Sequence, residues 1–143
     1  MQELPAFVAN HWILSTLFVA LFGALIWSFI EPTISGVTSI RPSDAVELIN
    51  RQDGVLLDVR TDNEYLDGHI VNSIHIPLNF LKDRISELES HREHPIIVSC
   101  RSGNRSSQAA AMLRKAGFSK VHNLAGGIMA WQHANLPLSK KKK

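Results

Sequence analysis

From Trp12 to Ile30 the chain reads WILSTLFVALFGALIWSFI, 19 residues without a charged side chain. As a helix this run is roughly 28 Å long, close to the ~30 Å hydrocarbon core of a bilayer. Trp12 and Trp27 stand near its ends, where indoles favour the membrane interface. The rest of the charge pattern agrees. All 15 Lys and Arg residues lie at or after Arg41, and only Glu3 and Glu31 are charged before it. A cleaved signal peptide would need a basic start, a shorter apolar run and a small-residue cleavage site. MQELPAFVANH has no Lys or Arg, and EPTISG is a poor cleavage site. The expectation is one uncleaved transmembrane helix over 12–30, after a short tail over 1–11 and before a Pro/Gly/Ser/Thr-rich linker over 31–36. Basic residues near the membrane are few, and Arg41 follows the span. That bias, with a lone thiol suited to a reducing compartment, places the following domain inside. The expected location is a bacterial inner membrane, crossed once, with the domain in the cytoplasm.

The whole chain has 143 residues, and the part beyond the linker, 37–143, leaves room for one domain of ordinary size. A hydrophobic share of 45% excludes a disordered chain, and a net charge of +2 gives no argument for nucleic acid. A strand is expected near 37–40. Pro42, with Ala45, Leu48 and Ile49 at helical spacing, predicts a helix over 42–50. Val55–Val59 reads as a buried parallel strand, 61–69 as a polar, turn-like stretch with room for one helical turn, and Ile74–Ile76 as a short strand. Phe80, Leu81, Ile85 and Leu88 space like a helix. Pro95 introduces a strand over 96–99. Ser106–Ala116 is a strong helix former stopped by Gly117. A strand over 121–124 and a helix over 128–133 follow the Gly126-Gly127 turn. Strands alternating with helices predict an α/β sandwich with a parallel sheet. The Lys-rich end, 139–143, reads as a solvated basic tail able to touch anionic lipid.

The chemistry concentrates at Cys100, the single cysteine. Strand, loop and helix in succession place it at the carboxyl end of a strand, the ligand-binding edge of open α/β sheets. Arg101, Ser102, Gly103, Asn104, Arg105 and Ser106 follow, a run suited to cradle an anion. Gly103 lets the backbone turn so that successive N–H groups point inward. The start of the next helix adds partial positive charge, and the two arginines add full charges. All of these favour thiolate, the nucleophilic form. The plain alternative is a small buried cysteine with arginines salt-bridged to nearby carboxylates. One cysteine excludes a thiolate zinc site, and the histidines show no ligand spacing. No metal or cofactor is expected.

Residues 96–106, IIVSCRSGNRS, resemble the active-site loop of the rhodanese (sulfurtransferase) family. Three further stretches resemble that family in the same order. They are Leu57-Asp58-Val59-Arg60 with Glu64-Tyr65, then Gly68-His69-Ile70 with Asn72 through Leu78, and Leu124 through Trp131 with Gly126-Gly127. Asn72 and Ser73 stand where Gly and Ala are commoner. The resemblance covers about 37–138 and implies a three-layer sandwich with a small, mostly parallel central sheet flanked by helices.

It also implies an activity. Cys100 would take sulfur from a small anionic donor such as thiosulfate, carry it as a persulfide, and pass it to cyanide, a thiol or a protein acceptor. Backbone N–H groups of 101–105 would hold the persulfide and the leaving anion, and Arg101 and Arg105 would attract the donor. Asp58 and Arg60 would support the loop from the neighbouring strand end. Related phosphatases and arsenate reductases use a longer Cys-x5-Arg loop, whereas Cys100 and Arg105 are separated by four residues. The rival reading is a rhodanese-fold adaptor or sulfur-relay module at the membrane, with little turnover.

Overall fold

A computed structural model describes the backbone of residues 11–34 and 36–140, and the side chains of 11–27 and 36–140. The chain divides into two compact units, Met1–Ser35 and Gly36–Lys143.

In the first unit, α1 spans Trp12–Ile34. Its described large side chains, among them Trp12, Leu14, Phe18, Leu21 and Trp27, are exposed. They are apolar around the helix rather than along one stripe, so no single face is set to bury against a neighbour. Thr16 turns its hydroxyl back to the carbonyls of Trp12 and Ile13, both at 2.9 Å. Its polar group is thus satisfied within the helix. Among the described residues no helix is long and apolar enough to cross a membrane. The side chains of α1 are described over 12–27 only, fewer than the ~20 apolar residues a span requires. The spanning helix expected over 12–30 is therefore not found among them. The linker expected over 31–36 is corrected in part, because the helix continues through Glu31 to Ile34. The N-terminal tail expected over 1–11 and the basic tail over 139–143 lie outside the described residues, except His11, Ser139 and Lys140.

The second unit has thirteen elements among its described residues. These are β1 (Thr38–Ile40), α2 (Pro42–Gln52), β2 (Val55–Asp58), α3 (Asp62–Leu66), β3 (His69–Ile70), β4 (Ile74–His75), α4 (Leu78–Arg84), a 3-10 helix (Ile85–His91), β5 (Ile96–Ser99), α5 (Asn104–Lys115), β6 (Val121–Leu124), α6 (Gly127–His133) and β7 (Leu138–Ser139). Five strands form a sheet in the order β1-β6-β5-β2-β4, with every pair parallel. The central strands read VLLD and IIVS because a parallel sheet covered on both faces buries both sets of side chains. Val55 aligns with Ile96 and Asp58 with Ser99.

The two faces part by alternation. Leu57, Val59, Ile96, Val98 and Cys100 pack with Leu81, Leu88, Ala109, Leu113 and Phe118, under α4, the 3-10 helix and α5. Leu56, Ile97 and Leu124 pack with Ala45, Ile128 and Trp131, under α2 and α6. Helices on both faces make the expected three layers. Because the strands are parallel, β2, β5 and β6 end at one edge, and that edge carries the loops after Asp58, Ser99 and Leu124.

Two local features differ from the sequence expectation, and the helical turn allowed in 61–69 is present. The helix expected around 80–88 is two elements, α4 and the 3-10 helix. The polar stretch 61–69 holds a capped helix, α3, in which Glu64 N–H donates to Thr61 Oγ1 while the Glu64 carboxylate accepts from Thr61 N–H. The antiparallel pair of β3 with β7 joins residues about 70 apart and carries no local signal. Asn72, where the resembled family more often has Gly, adopts φ 60° in the β3–β4 turn. That left-handed value favours Gly and tolerates Asn.

Candidate active site

Cys100 follows the last residue of β5, and its side chain is 1% exposed. The loop is only three residues long before α5 begins at Asn104. Gly103 makes so short a turn possible. Its φ of 108° lies in the region that side-chain-bearing residues avoid, and it sets the helix start two residues earlier than helix propensity places it. The turn swings the Gly103 N–H onto Cys100 Sγ at 3.1 Å. The hydroxyl of Ser106, in the first turn of α5, lies 3.3 Å from the same sulfur.

The outer side of the loop is fixed by the Gly126-Gly127 turn. The carbonyl of Cys100 accepts from Ile128 N–H at 2.8 Å, and that of Arg101 from Met129 N–H at 3.3 Å. With the carbonyls drawn outward, the loop N–H groups are left to the sulfur. Gly127 is packed directly on this backbone: a Cβ there would lie 2.3 Å from the Cys100 carbonyl oxygen. The paired glycines, noticed in sequence as a turn, thus act as the seat of the cysteine loop.

These contacts settle the thiol's acidity. Burial pushes the Cys100 pKa up, and hydrogen bonding from the Ser106 hydroxyl and from the amides of Ser106, Gly103 and Ser102 pulls it down. The net result is a pKa below the ordinary 9.0. Hydrogen bonds to the charged form outweigh desolvation.

The expected site residues are not all brought to the sulfur. Gly103 is, and Ser102 contributes an amide. Asn104 is exposed at the start of α5. Arg105 is held elsewhere: its guanidinium donates to both carboxylate oxygens of Glu64 at 2.7 and 2.8 Å. That fork–fork pairing drops the Glu64 pKa to about 2. The charge of Arg105 still reaches Cys100 through space, while one N–H of each terminal nitrogen is directed at Glu64. Of the two readings the sequence left for Arg105, attraction of the donor anion and a salt bridge to a nearby carboxylate, the salt bridge is present here. Arg101 is exposed and has no ion-pair partner among the described residues. It lines a cleft of about 330 Å³ together with Arg60, Asp67, Ile128, Met129 and Gln132.

Asp58 and Arg60 form a buried pair behind this edge. Arg60 donates to Asp58 Oδ2 at 2.6 Å, to the Gly68 carbonyl at 2.8 Å and to the Glu64 carbonyl at 3.0 Å. The pair ties β2 to α3 and to the entry of β3. Tyr65 is stacked between His69 and His75, with ring centroids 3.9 and 4.1 Å away, and its hydroxyl donates to the Ser73 carbonyl. Glu64 is therefore presented to Arg105 from a braced segment. Trp131 is buried and donates its indole N–H to the Pro137 carbonyl at 3.1 Å. Among the described residues no group of His, Cys, Asp or Glu could hold a metal ion.

Sequence reasoning assigned no site role to Glu64, Asn123 or Gly127, and placed Ser106 only as the last residue of the anion cradle. The pairing of Glu64 with Arg105 spans 41 residues, and that of Ser106 with Asn123 spans 17, so neither has a local pattern. Ser106 alone left a signal, as a hydroxyl one residue past the loop at a helix start.

The profile of the "Rhodanese-like domain" family matches residues 41–134. The uncharacterized protein YibN of Escherichia coli strain K12 is 37% identical over 143 residues, covering 99% of this chain and all of that protein. A protein of Allochromatium vinosum named "Sulfurtransferase" is 38% identical over 91 residues, 64% of this chain and 83% of its own length. Among solved structures, a rhodanese-related protein of Thermoplasma volcanium matches with a TM-score of 0.66 and 34% identity, over 73% of this chain and 99% of that one. The matched segment contains the whole parallel sheet except β1, the cysteine loop and the glycine pair that seats it, and on that match the chain belongs to the rhodanese-like family.

Proposed function

We propose that this protein is a membrane-attached sulfurtransferase that moves sulfane sulfur through a persulfide on Cys100. The observation that carries this reading is the hydrogen-bonded, acid-shifted thiol at the end of β5. The Cys100 thiolate attacks the outer sulfur of a small anionic donor such as thiosulfate. A new S–S bond forms, the donor's S–S bond breaks, and its electron pair leaves with sulfite. The persulfide's outer sulfur carries the charge. A thiolate or cyanide then attacks that sulfur, and the electron pair of the Cys–S–S bond returns to Sγ. Covalent catalysis divides one transfer into two easier steps, and the loop N–H groups stabilise the charge in both. Arg101, unpaired at the cleft, attracts the donor. The Glu64–Arg105 and Asp58–Arg60 pairs hold the loop's surroundings.

Attachment to a bilayer is supported by the uncharged run 12–30 and by the exposed apolar side chains around α1. The domain then works at the cytoplasmic face of a bacterial inner membrane.

The 1% exposure of Cys100 favours a second reading, a docking or relay module with little turnover. Intact mass separates the two. The full chain in detergent, incubated with thiosulfate, is expected to gain one sulfur atom, to release it to cyanide, and to gain none as Cys100→Ser. No gain from thiosulfate or from a small persulfide donor would overturn the sulfurtransferase reading.

A further inference from the structure

Ser106 is fully buried, and its hydroxyl has more acceptors around it than protons to give. Its Oγ lies 2.6 Å from Asn123 Oδ1, 3.0 Å from the Gly103 carbonyl and 3.3 Å from Cys100 Sγ. Asn123 is itself oriented from β1, because its amide Nδ2 donates to Ser39 Oγ at 3.3 Å. Ser39 and Asn123 are register partners in the sheet. A chain of polar side chains therefore runs from the sulfur through buried Ser106 on α5 and Asn123 on β6 to exposed Ser39 on β1. Of these groups only the Ser106 hydroxyl touches the sulfur, and it carries a single proton.

From this we propose that Ser106 is a catalytic residue of the discharge half-reaction, whose hydroxyl proton swings from Asn123 Oδ1 to Cys100 Sγ as that sulfur leaves. This deepens the sulfurtransferase reading and rests on it. In the persulfide, Sγ is bonded to carbon and sulfur and carries little charge, so the proton stays with the short contact to Asn123. When the acceptor's electron pair bonds to the outer sulfur, the S–S bond breaks and its pair goes to Sγ, which becomes a thiolate. A full negative charge then appears 3.3 Å from the hydroxyl. The proton is not transferred; it changes the acceptor it points to. Asn123 serves as a positioning residue that keeps the hydroxyl close in the neutral state. In the loading half-reaction the charge leaves Sγ, so the same hydrogen bond helps form the thiolate but does not assist its attack.

This asymmetry is the test. The full chain and Ser106→Ala are compared in detergent by single-turnover loading from thiosulfate at a pH where Cys100 is fully ionised, and by discharge of the isolated persulfide to cyanide. The pH profile of iodoacetamide alkylation of the single cysteine gives the thiol pKa independently of any sulfur transfer. For Ser106→Ala the expected results are discharge slowed about tenfold, loading within about threefold of wild type, and a thiol pKa raised by about one unit. Equal slowing of both half-reactions would mark Ser106 as merely structural and overturn the proposal. So would unchanged discharge with an unchanged pKa. Should Ser106→Ala fail to fold, Asn123→Asp is read in its place. A carboxylate holds the Ser106 proton more firmly, so discharge slows and the pKa rises, and the absence of both changes overturns the proposal. A wild-type protein that takes up no sulfur would sink the sulfurtransferase reading instead, while the alkylation profile still reports on Ser106.

Discussion

Cys100 is an apolar-core residue by position, and its hydrogen-bond donors favour the thiolate. It belongs to the same buried cluster as Val98 and Leu113, and burial alone would hold it as a neutral thiol. Its acidity depends on one glycine that turns an N–H inward and another that lets α6 sit against the loop. Gly127 is the stricter of the two. Its φ is 56°, and an added Cβ would overlap the backbone of both Cys100 and Arg101. Gly127→Ala is therefore expected to destabilise the fold by roughly 2–4 kcal/mol, combining strain at a positive φ with overpacking. It should also slow alkylation of Cys100, because the loop must shift to make room. Urea unfolding together with the iodoacetamide rate checks this; wild-type values in both would show that the loop does not depend on that seat. At this scale the cysteine and Gly103 were readable from the sequence, since loop, strand and helix are contiguous. The role of Gly127 was not, because a GG turn looks the same whatever backbone lies above it.

Between elements, two ion pairs do different work. Asp58–Arg60 is buried, with side chains 0% and 6% exposed, and secures α3 and β3 to the end of β2. Glu64–Arg105 is half-open and links α3 to α5. Its contribution to stability follows from the Glu64 pKa, which falls from 4.5 in the unfolded chain to about 2 in the folded one. A depressed folded pKa means that the contribution is complete above about pH 4.5 and is lost as the pH falls toward 2. A shift of that size converts to roughly 3 kcal/mol, reduced by solvent screening to on the order of 1–2 kcal/mol. Glu64→Gln should thus be less stable than wild type by that amount at pH 7, and most of the gap should close by pH 3. Urea titrations at the two pH values measure it, and a gap that stays constant would mean that the pair is not what couples α3 to α5. Short continuous apolar runs gave β2 and β5 from the sequence, and helical spacing and propensity gave α2 and α5. They could not supply β3 with β7, or the partner of Arg105, because those contacts join residues far apart in the chain.

For the whole molecule, the division at Ser35 and Gly36 separates a strongly apolar helix from a sheet domain with two cores. Residues 36–143 contain every strand and every site contact described above. The full chain is expected to float with phospholipid vesicles in a density gradient, while a chain beginning at Gly36 stays in the dense fraction and unfolds at a midpoint within a few degrees of the full chain's. Full-length protein that remains dense and soluble without detergent would sink the proposed membrane attachment. An early unfolding midpoint for the short chain would show that the first unit contributes to the fold of the second.

Local order along the chain was enough to establish the α/β class, the parallel sheet and the family, and to single out Cys100 as the candidate nucleophile. Those properties depend on periodicity and on residues adjacent in sequence: apolar runs four residues long, a glycine three after the cysteine, a helix start directly behind it. Which charges face the sulfur was decided only by folding. Arg105, an anion binder by its position in the loop, is taken by a carboxylate 41 residues earlier. Ser106, by sequence the last residue of the anion cradle at a helix start, is placed against the sulfur with its hydroxyl held by an asparagine on another strand. Electrostatics and hydrogen bonding at a site depend on distances in space, and a linear pattern carries those only where the chain stays close to itself.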